Sequence, residues 1–250
     1  PFLWMLSTAF KAGSAFDYPP QWIPDDVTLD NFREVWTAVP FGRYLFNSLF
    51  IAICVTIGEV LTSAFAAYAF ARLRFPGRDA MFLMYLATLM IPGQVTIIPN
   101  FILMRYLGWI NTYQGIIVPG ASVAYGAFLL RQYYRTLPIE IMDAAKVDGA
   151  GHLRTLTSIV VPLAKPAIIS FGLVSVVTKW NDFLWPLLVT NTREMRVLPI
   201  GIYWLMVEEG TIEWGLVMAG TLFVVLPVLI VFLYAQQYIV EGIAAGAVKG

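Results

Sequence analysis

From Tyr44 to Ala71 the chain runs without a single basic residue and with one carboxylate, Glu59. A helix needs about 20 predominantly apolar residues to cross the hydrocarbon core of a bilayer, and this stretch exceeds that. Four more segments qualify: Ala80 to Ile98, Tyr113 to Tyr134, Val160 to Val189, and Trp214 to Tyr238. Pro1 to Phe10 reads as the outer end of another span, truncated in this sequence. Composition closes the alternative of a soluble core. The chain is 59% apolar and 13% charged, against about 45–50% and about 25% in soluble domains. The sequence therefore predicts an all-α polytopic membrane protein with about six transmembrane helices, forming one transmembrane domain over residues 1–250.

The spaces between these runs have distinct characters. Lys11 to Arg43 is polar and rich in turns, with an amphipathic piece at Leu29 to Trp36. Pro92-Gly93 interrupts the third span, and Asn100 to Ile110 suggests a short interfacial helix. Arg135 to Ile159 and Thr190 to Glu213 read as polar loops. Basic residues fix the orientation, because Lys and Arg concentrate in cytoplasmic loops. Arg72, Arg74, Arg78, Arg131, Arg135, Lys146, Arg154, Lys165 and Lys249 fall on one side. Lys11, Arg33, Arg43, Arg105, Arg193 and Arg196 fall on the other, with most of the acids. The first side is expected to be cytoplasmic, which places both termini inside.

Several functions are disfavoured at once. The 16 basic and 16 acidic residues balance, and no basic tract or tail points to nucleic acid. Cys54 is the only cysteine and His152 the only histidine, so neither a disulfide nor a metal site is expected. An intramembrane enzyme needs paired His, Asp or Glu within its spans, and these spans do not supply them.

The most informative segment is Leu137 to Pro166, LPIEIMDAAKVDGAGHLRTLTSIVVPLAKP. Pro138 suits the first turn of a helix, where its missing N–H costs nothing. Glu140 and Asp143 lie in the opening turns, where the helix dipole favours negative charge. Together with Ala144 and Val147 they share one face. Ala144, Ala145, Gly149, Ala150 and Gly151 carry little bulk and permit close approach by another chain, while Asp148-Gly149 is a helix stop. A solvated connector between two spans has the same features, and physics alone leaves both readings open.

Glu140, Ala144, Ala145 and Gly149, with Pro162 farther on, resemble the E-A-A…G…P loop of permease subunits in bacterial binding-protein-dependent ABC importers. Asp143 stands where that family often has Glu. Tyr68 to Arg72, Ile91-Pro92-Gly93-Gln94, Trp180-Asn181-Asp182-Phe183 and Gly246 to Gly250 resemble its carbohydrate-uptake, MalG- and UgpE-like branch. The resemblance implies a multi-pass protein of the bacterial inner membrane, with residues 137–166 as a cytoplasmic coupling segment between spans four and five. Glu140, Asp143, Ala144, Ala145, Asp148, Gly149 and Pro162 would form the contact with the ATPase, and Gly246 and Lys249 a tail contact. It further implies two ATP-binding subunits, a second homologous permease chain and an extracytoplasmic solute-binding protein.

No G-x-x-x-x-G-K-[ST] phosphate loop occurs, so ATP and Mg are expected to be used by partner subunits, with no cofactor and no catalytic residue on this chain. A cargo path is sought among polar groups at membrane depth. Glu59, Trp180, Asn181, Asp182 and Trp185 are the candidates, since aromatic faces, amides and carboxylates suit a carbohydrate. The plainer reading makes Trp180 and Trp185 an interfacial belt, pairs Lys179 with Asp182, and has Glu59 bonded to a neighbouring helix. Gly172, Gly215 and Gly220 are expected to serve helix packing. The competing functional reading is a stand-alone ion-coupled carrier, for which Glu59 and Asp182 are a thin supply of intramembrane charge.

Overall fold

A computed structural model of the chain describes residues 1–13, 22–207 and 213–247, with side chains up to residue 233. The described residues form helices joined by short turns, with one isolated antiparallel bridge between Lys11 and Val27. In chain order these are α1 (Phe2–Ala9), α2 (Asp30–Ala38), α3 (Phe41–Arg72), α4 (Arg78–Ala87), α5 (Gly93–Tyr106), α6 (Tyr113–Gly120), α7 (Ala124–Thr136) and α8 (Ile139–Val147). They continue as α9 (His152–Thr155), α10 (Val161–Leu163), α11 (Lys165–Trp180), α12 (Leu184–Val189), α13 (Leu198–Val207) and α14 (Trp214–Ala247).

Helix α3 shows what solvent the fold is built for. Its outward residues are Phe46, Leu49, Phe50, Ile53, Ile57, Leu61 and Phe65, a stripe at helical spacing, while Asn47, Ser48, Thr56, Glu59 and Ser63 are buried. A helix in water has the opposite arrangement. Apolar residues outside and polar residues inside suit a bilayer, where internal hydrogen bonds replace those to water.

Two helices, α3 and the described part of α14, are individually long and apolar enough to cross a membrane. Three bent pairs bring the number of candidate spans to five: Arg78–Met90 with Gly93–Tyr106 at 96°, Tyr113–Gly120 with Ala124–Thr136 at 42°, and His152–Leu163 with Lys165–Trp180 at 80°. Helix α1, with 8 residues, reaches only about 12 Å at 1.5 Å per residue.

These breaks revise the sequence-based boundaries. Pro92-Gly93 does more than interrupt the third span, because Pro92 turns extended and opens α5, which contains Asn100 and ends at Tyr106. No separate helix begins at Asn100. The fifth run is divided twice, once at Ala164 and again at Asn181–Phe183. A π-helical turn at Leu156–Val160 precedes the first of these breaks. Pro162 and Pro166 flank it, and each removes a backbone donor that a continuous helix would use. The expected polar loop from Thr190 to Glu213 contains α13, an apolar helix of 10 residues. Its flanking charges obscured it.

The chain packs as two compact units. One comprises Pro1–Ile51, Gly108–Ile116 and Trp180–Leu233; the other comprises Ala52–Leu107, Ile117–Lys179 and the chain after Leu233. The first is centred on Phe41, Tyr44, Leu198, Leu205 and Leu216. Within it the Asn47 amide donates to the carbonyls of Glu194 and Arg196, both at 2.8 Å, and accepts from the Tyr113 hydroxyl at 2.7 Å. Asn111, with φ of 60°, accepts from the backbone N–H groups of Asn191 and Thr192, each at 3.1 Å. Two asparagines thus hold the loop that follows α12. Gly215 and Gly220 pack as expected: an added Cβ would meet the Asn31 amide at 2.8 Å and Ile202 at 2.7 Å, whereas at Gly172 it would find ordinary contact at 3.8 Å.

The second unit is centred on Ala64, Ala67, Tyr68, Leu130, Tyr134, Met142 and Val160. Small residues on α3 admit the bulk of Tyr134, which is wholly buried. At Gly126 a Cβ would collide with Phe171 and Ser63, so the absence of a side chain there sets how closely α7 approaches its neighbours.

Candidate functional site

The segment between α7 and α9 folds as its residues dictate. Pro138 caps the start of α8 with extended backbone (ψ 138°). Gly149 ends the segment in the left-handed region, φ 72°, where a Cβ costs roughly 1–2 kcal/mol. Its N–H donates to the Lys146 carbonyl at 3.0 Å and that of Ala150 to the Ala145 carbonyl at 2.9 Å. These are the two bonds of a Schellman ending.

The faces of α8 are clearly divided. Met142 and Ala145 are buried, both 4% exposed, and Met142 belongs to the apolar cluster of its unit. Glu140, Asp143, Ala144, Val147, Asp148 and Gly149 are exposed. Ile139 and Val147 lie exposed beside the acids, Val147 at 88%. Ala145 departs from the expectation: its methyl packs inside the chain, so its smallness serves α8's own seat. Pro162 is exposed on α10. Asp143 accepts from Lys146 at 3.0 Å, an exposed pair that contributes little. Beside the helix lies a hollow of about 430 Å³ lined by Tyr68, Arg72, Lys146, Gly149, His152 and Thr155 among others. Gly246 lies within the helical backbone of α14 but beyond the described side chains, and Lys249 lies outside the described residues.

The candidate path residues divide between the two units. In the second, Glu59 is 4% exposed and is fully engaged. Lys179 Nζ lies 3.1 Å from Oε1, and the Ser175 hydroxyl donates to Oε2 at 2.6 Å. The Thr56 and Ser175 hydroxyls share a further hydrogen bond of 2.8 Å. The plainer sequence reading pairs Lys179 with Asp182, and the structure shows Glu59 beside its ammonium. Spacing hides this contact in the sequence, since Ser175 and Lys179 are one turn apart on α11 and only the fold brings them to α3. Gly120 lies close by: a Cβ there would press on Val55 at 3.1 Å and make ordinary contact with the ammonium at 3.7 Å.

In the first unit, Trp180 is buried and its indole N–H donates to the Val224 carbonyl at 3.0 Å. The Trp185 indole N–H donates to the Gly115 carbonyl at 3.1 Å. Both indoles tie helices together. Asn181 and Asp182 lie in the break between α11 and α12, with Asn181 exposed.

Relatives of known type share this sequence over nearly its whole length. It is 36% identical over 228 residues to the arabinooligosaccharide transport system permease protein AraQ of Halalkalibacterium halodurans, covering 91% of this chain and 81% of the relative. The trehalose/maltose transport system permease protein MalG of Thermococcus litoralis is 36% identical over 255 residues, covering 100% of this chain and 91% of that one. The sn-glycerol-3-phosphate transport system permease protein UgpE of Yersinia enterocolitica is 34% identical over 253 residues, covering 96% and 90%. The fold matches a chain in the crystal structure of a bacterial ABC transporter involved in the import of the acidic polysaccharide alginate. The TM-score is 0.87 at 23% identity, covering 95% of this chain and 89% of that chain. The family model for the binding-protein-dependent transport system inner membrane component matches residues 59–244. This chain is a member of that family, the membrane-embedded permease components of binding-protein-dependent transport systems.

Proposed function

We propose that the chain is the permease subunit of an ATP-driven importer for a sugar, or for a related polyol or glycerol phosphate. In this reading it forms the translocation path with a second homologous permease and takes its energy from two ATP-binding subunits. The observation that carries the coupling role is the divided face of α8. Acidic, small and apolar residues stand exposed on a short helix whose other face is locked into the protein by Met142 and Ala145. Docked against an ATPase subunit, such a helix moves with that subunit rather than yielding to it. The bent pairs at Pro92-Gly93, at Ala121–Val123 and at Ala164 supply the places where spans change angle. An extracytoplasmic solute-binding protein delivers the cargo, both termini lie in the cytoplasm, and the membrane is the prokaryotic cytoplasmic membrane.

Sugar contact on this chain falls to Asn181 and Asp182. They lie where the helix is broken and polar backbone becomes available. The indoles of Trp180 and Trp185 are occupied with carbonyls and act as their frame. An ion-coupled carrier is disfavoured because Glu59 already has a cation, Lys179, beside it.

The coupling face is tested by placing a photo-crosslinking amino acid at Val147 in the full chain, in its native membrane. The expected product joins this chain to an ATP-binding subunit. Labelling of lipid alone, in membranes where uptake is active, would contradict the docking role.

A further inference from the structure

We propose that Arg72 is a positioning residue for ATP-driven transport, the joint through which movement of α8 is passed to the long span α3. This rests on the reading of α8 as the coupling helix. Arg72 is the last residue of α3. Its guanidinium Nη2 donates to the Tyr134 carbonyl, in the last turn of α7, and to the Leu137 carbonyl at 2.6 Å. Leu137 caps α7 with extended backbone (φ −67°, ψ 139°) and is followed by Pro138, the cap of α8.

One side chain therefore binds both the end of α7 and the residue that leads into α8. The last carbonyls of a helix have no partner within it and carry its negative dipole end, so a cation there is doubly suited. Met142 of α8 and Tyr68 of α3 also share an apolar cluster. Apolar contacts resist separation but are non-directional. The two Arg72 hydrogen bonds are directional; Arg131 Nε of α7 also donates to the Phe70 carbonyl of α3 at 3.2 Å, but the Arg72 pair alone reaches the corner that leads into α8. Arg72 also lines the hollow beside α8. A push on α8 thus reaches α3 as a rigid displacement when Arg72 is present and as a slip when it is not.

Cys54, the only cysteine of the chain, lies partly exposed on α3 and reports the movement without any transported solute. The experiment uses the complex purified with its ATP-binding subunits, labelled with a maleimide with and without a non-hydrolysable ATP analogue. Labelling of Cys54 in the wild-type chain is expected to change by about threefold or more on nucleotide binding. In Arg72→Met, which keeps the apolar stem and removes every donor, the nucleotide-dependent change is expected to vanish while ATPase subunits still co-purify and hydrolyse ATP. Arg72→Lys, which restores donors of shorter reach, is expected to recover part of it, and it decides the matter should Arg72→Met fail to accumulate. An unaltered nucleotide response in the methionine variant, or in the lysine variant when only that one is obtained, overturns the proposal. So does a wild-type complex whose Cys54 does not respond. Failure of the wild-type chain to co-purify with any ATPase refutes the coupling reading itself, a separate result.

Discussion

Replacing Lys179 by methionine is expected to reduce the stability of the folded chain by about 3 kcal/mol, the cost of leaving a buried ion uncompensated. Glu59 is 4% exposed, so its carboxylate would retain only the Ser175 hydroxyl at 2.6 Å. The converse change, Glu59→Gln, is milder. Its amide still accepts from Ser175, and the side chain of Lys179, 23% exposed, is long enough to turn its ammonium toward a more polar region. The double variant Glu59→Gln/Lys179→Met removes both charges and is expected to regain most of the loss. Non-additivity of this kind is the signature of a direct pair. Thermal unfolding in detergent, followed by size-exclusion of the soluble fraction, checks it. The single lysine variant should melt about 10 °C lower and the double variant near the wild type. Equal losses in single and double variants would show that the pair does not hold α3 to α11. Uptake by Glu59→Gln is expected to stay near the wild-type rate, since the carboxylate is used within the protein; a collapse of uptake with unchanged stability would return Glu59 to the cargo path.

The second large effect is at Gly149. Its φ of 72° lies in the region where a β-branched residue is a genuine outlier, whereas asparagine enters it readily. Strain of about 1–2 kcal/mol corresponds to about a 5–30-fold change in the population of the native turn. Gly149→Val is therefore expected to insert normally but to spend much of its time with the end of α8 out of place. ATP hydrolysed per solute imported should rise about tenfold or more. Gly149→Asn should behave close to the wild type, because nothing lies within 4 Å of the added Cβ. If valine and asparagine were equally harmful, bulk at the docking face would be the cause rather than backbone geometry.

The sequence made the membrane class legible because apolar runs such as Tyr44 to Ala71 follow from bilayer thickness alone. The turn at Asp148-Gly149 was equally plain, since a glycine in that position after a helix has a specific backbone use. What escaped was set by distant contacts. Glu59 and Lys179 lie on different helices, far apart in sequence, and no local pattern links them. The burial of Ala145 is set by the rest of the fold, so helical spacing could group Glu140, Asp143 and Val147 but could not say which alanine faces inward. Helix α13 was hidden by its charged surroundings, because Val197 to Val207 is too short to register as a span. Arg72 looked like one basic residue among several at a membrane boundary, and only the carbonyls of Tyr134 and Leu137 distinguish it.

The central claim is that this chain works as one permease subunit within a larger ATP-driven assembly. Purification from its native membrane in mild detergent, followed by mass spectrometry of the proteins retained, tests that most directly. Recovery together with an ATP-binding subunit and a second permease-like chain is the predicted result. Recovery of this chain alone, transporting solute after reconstitution without ATP, would contradict it.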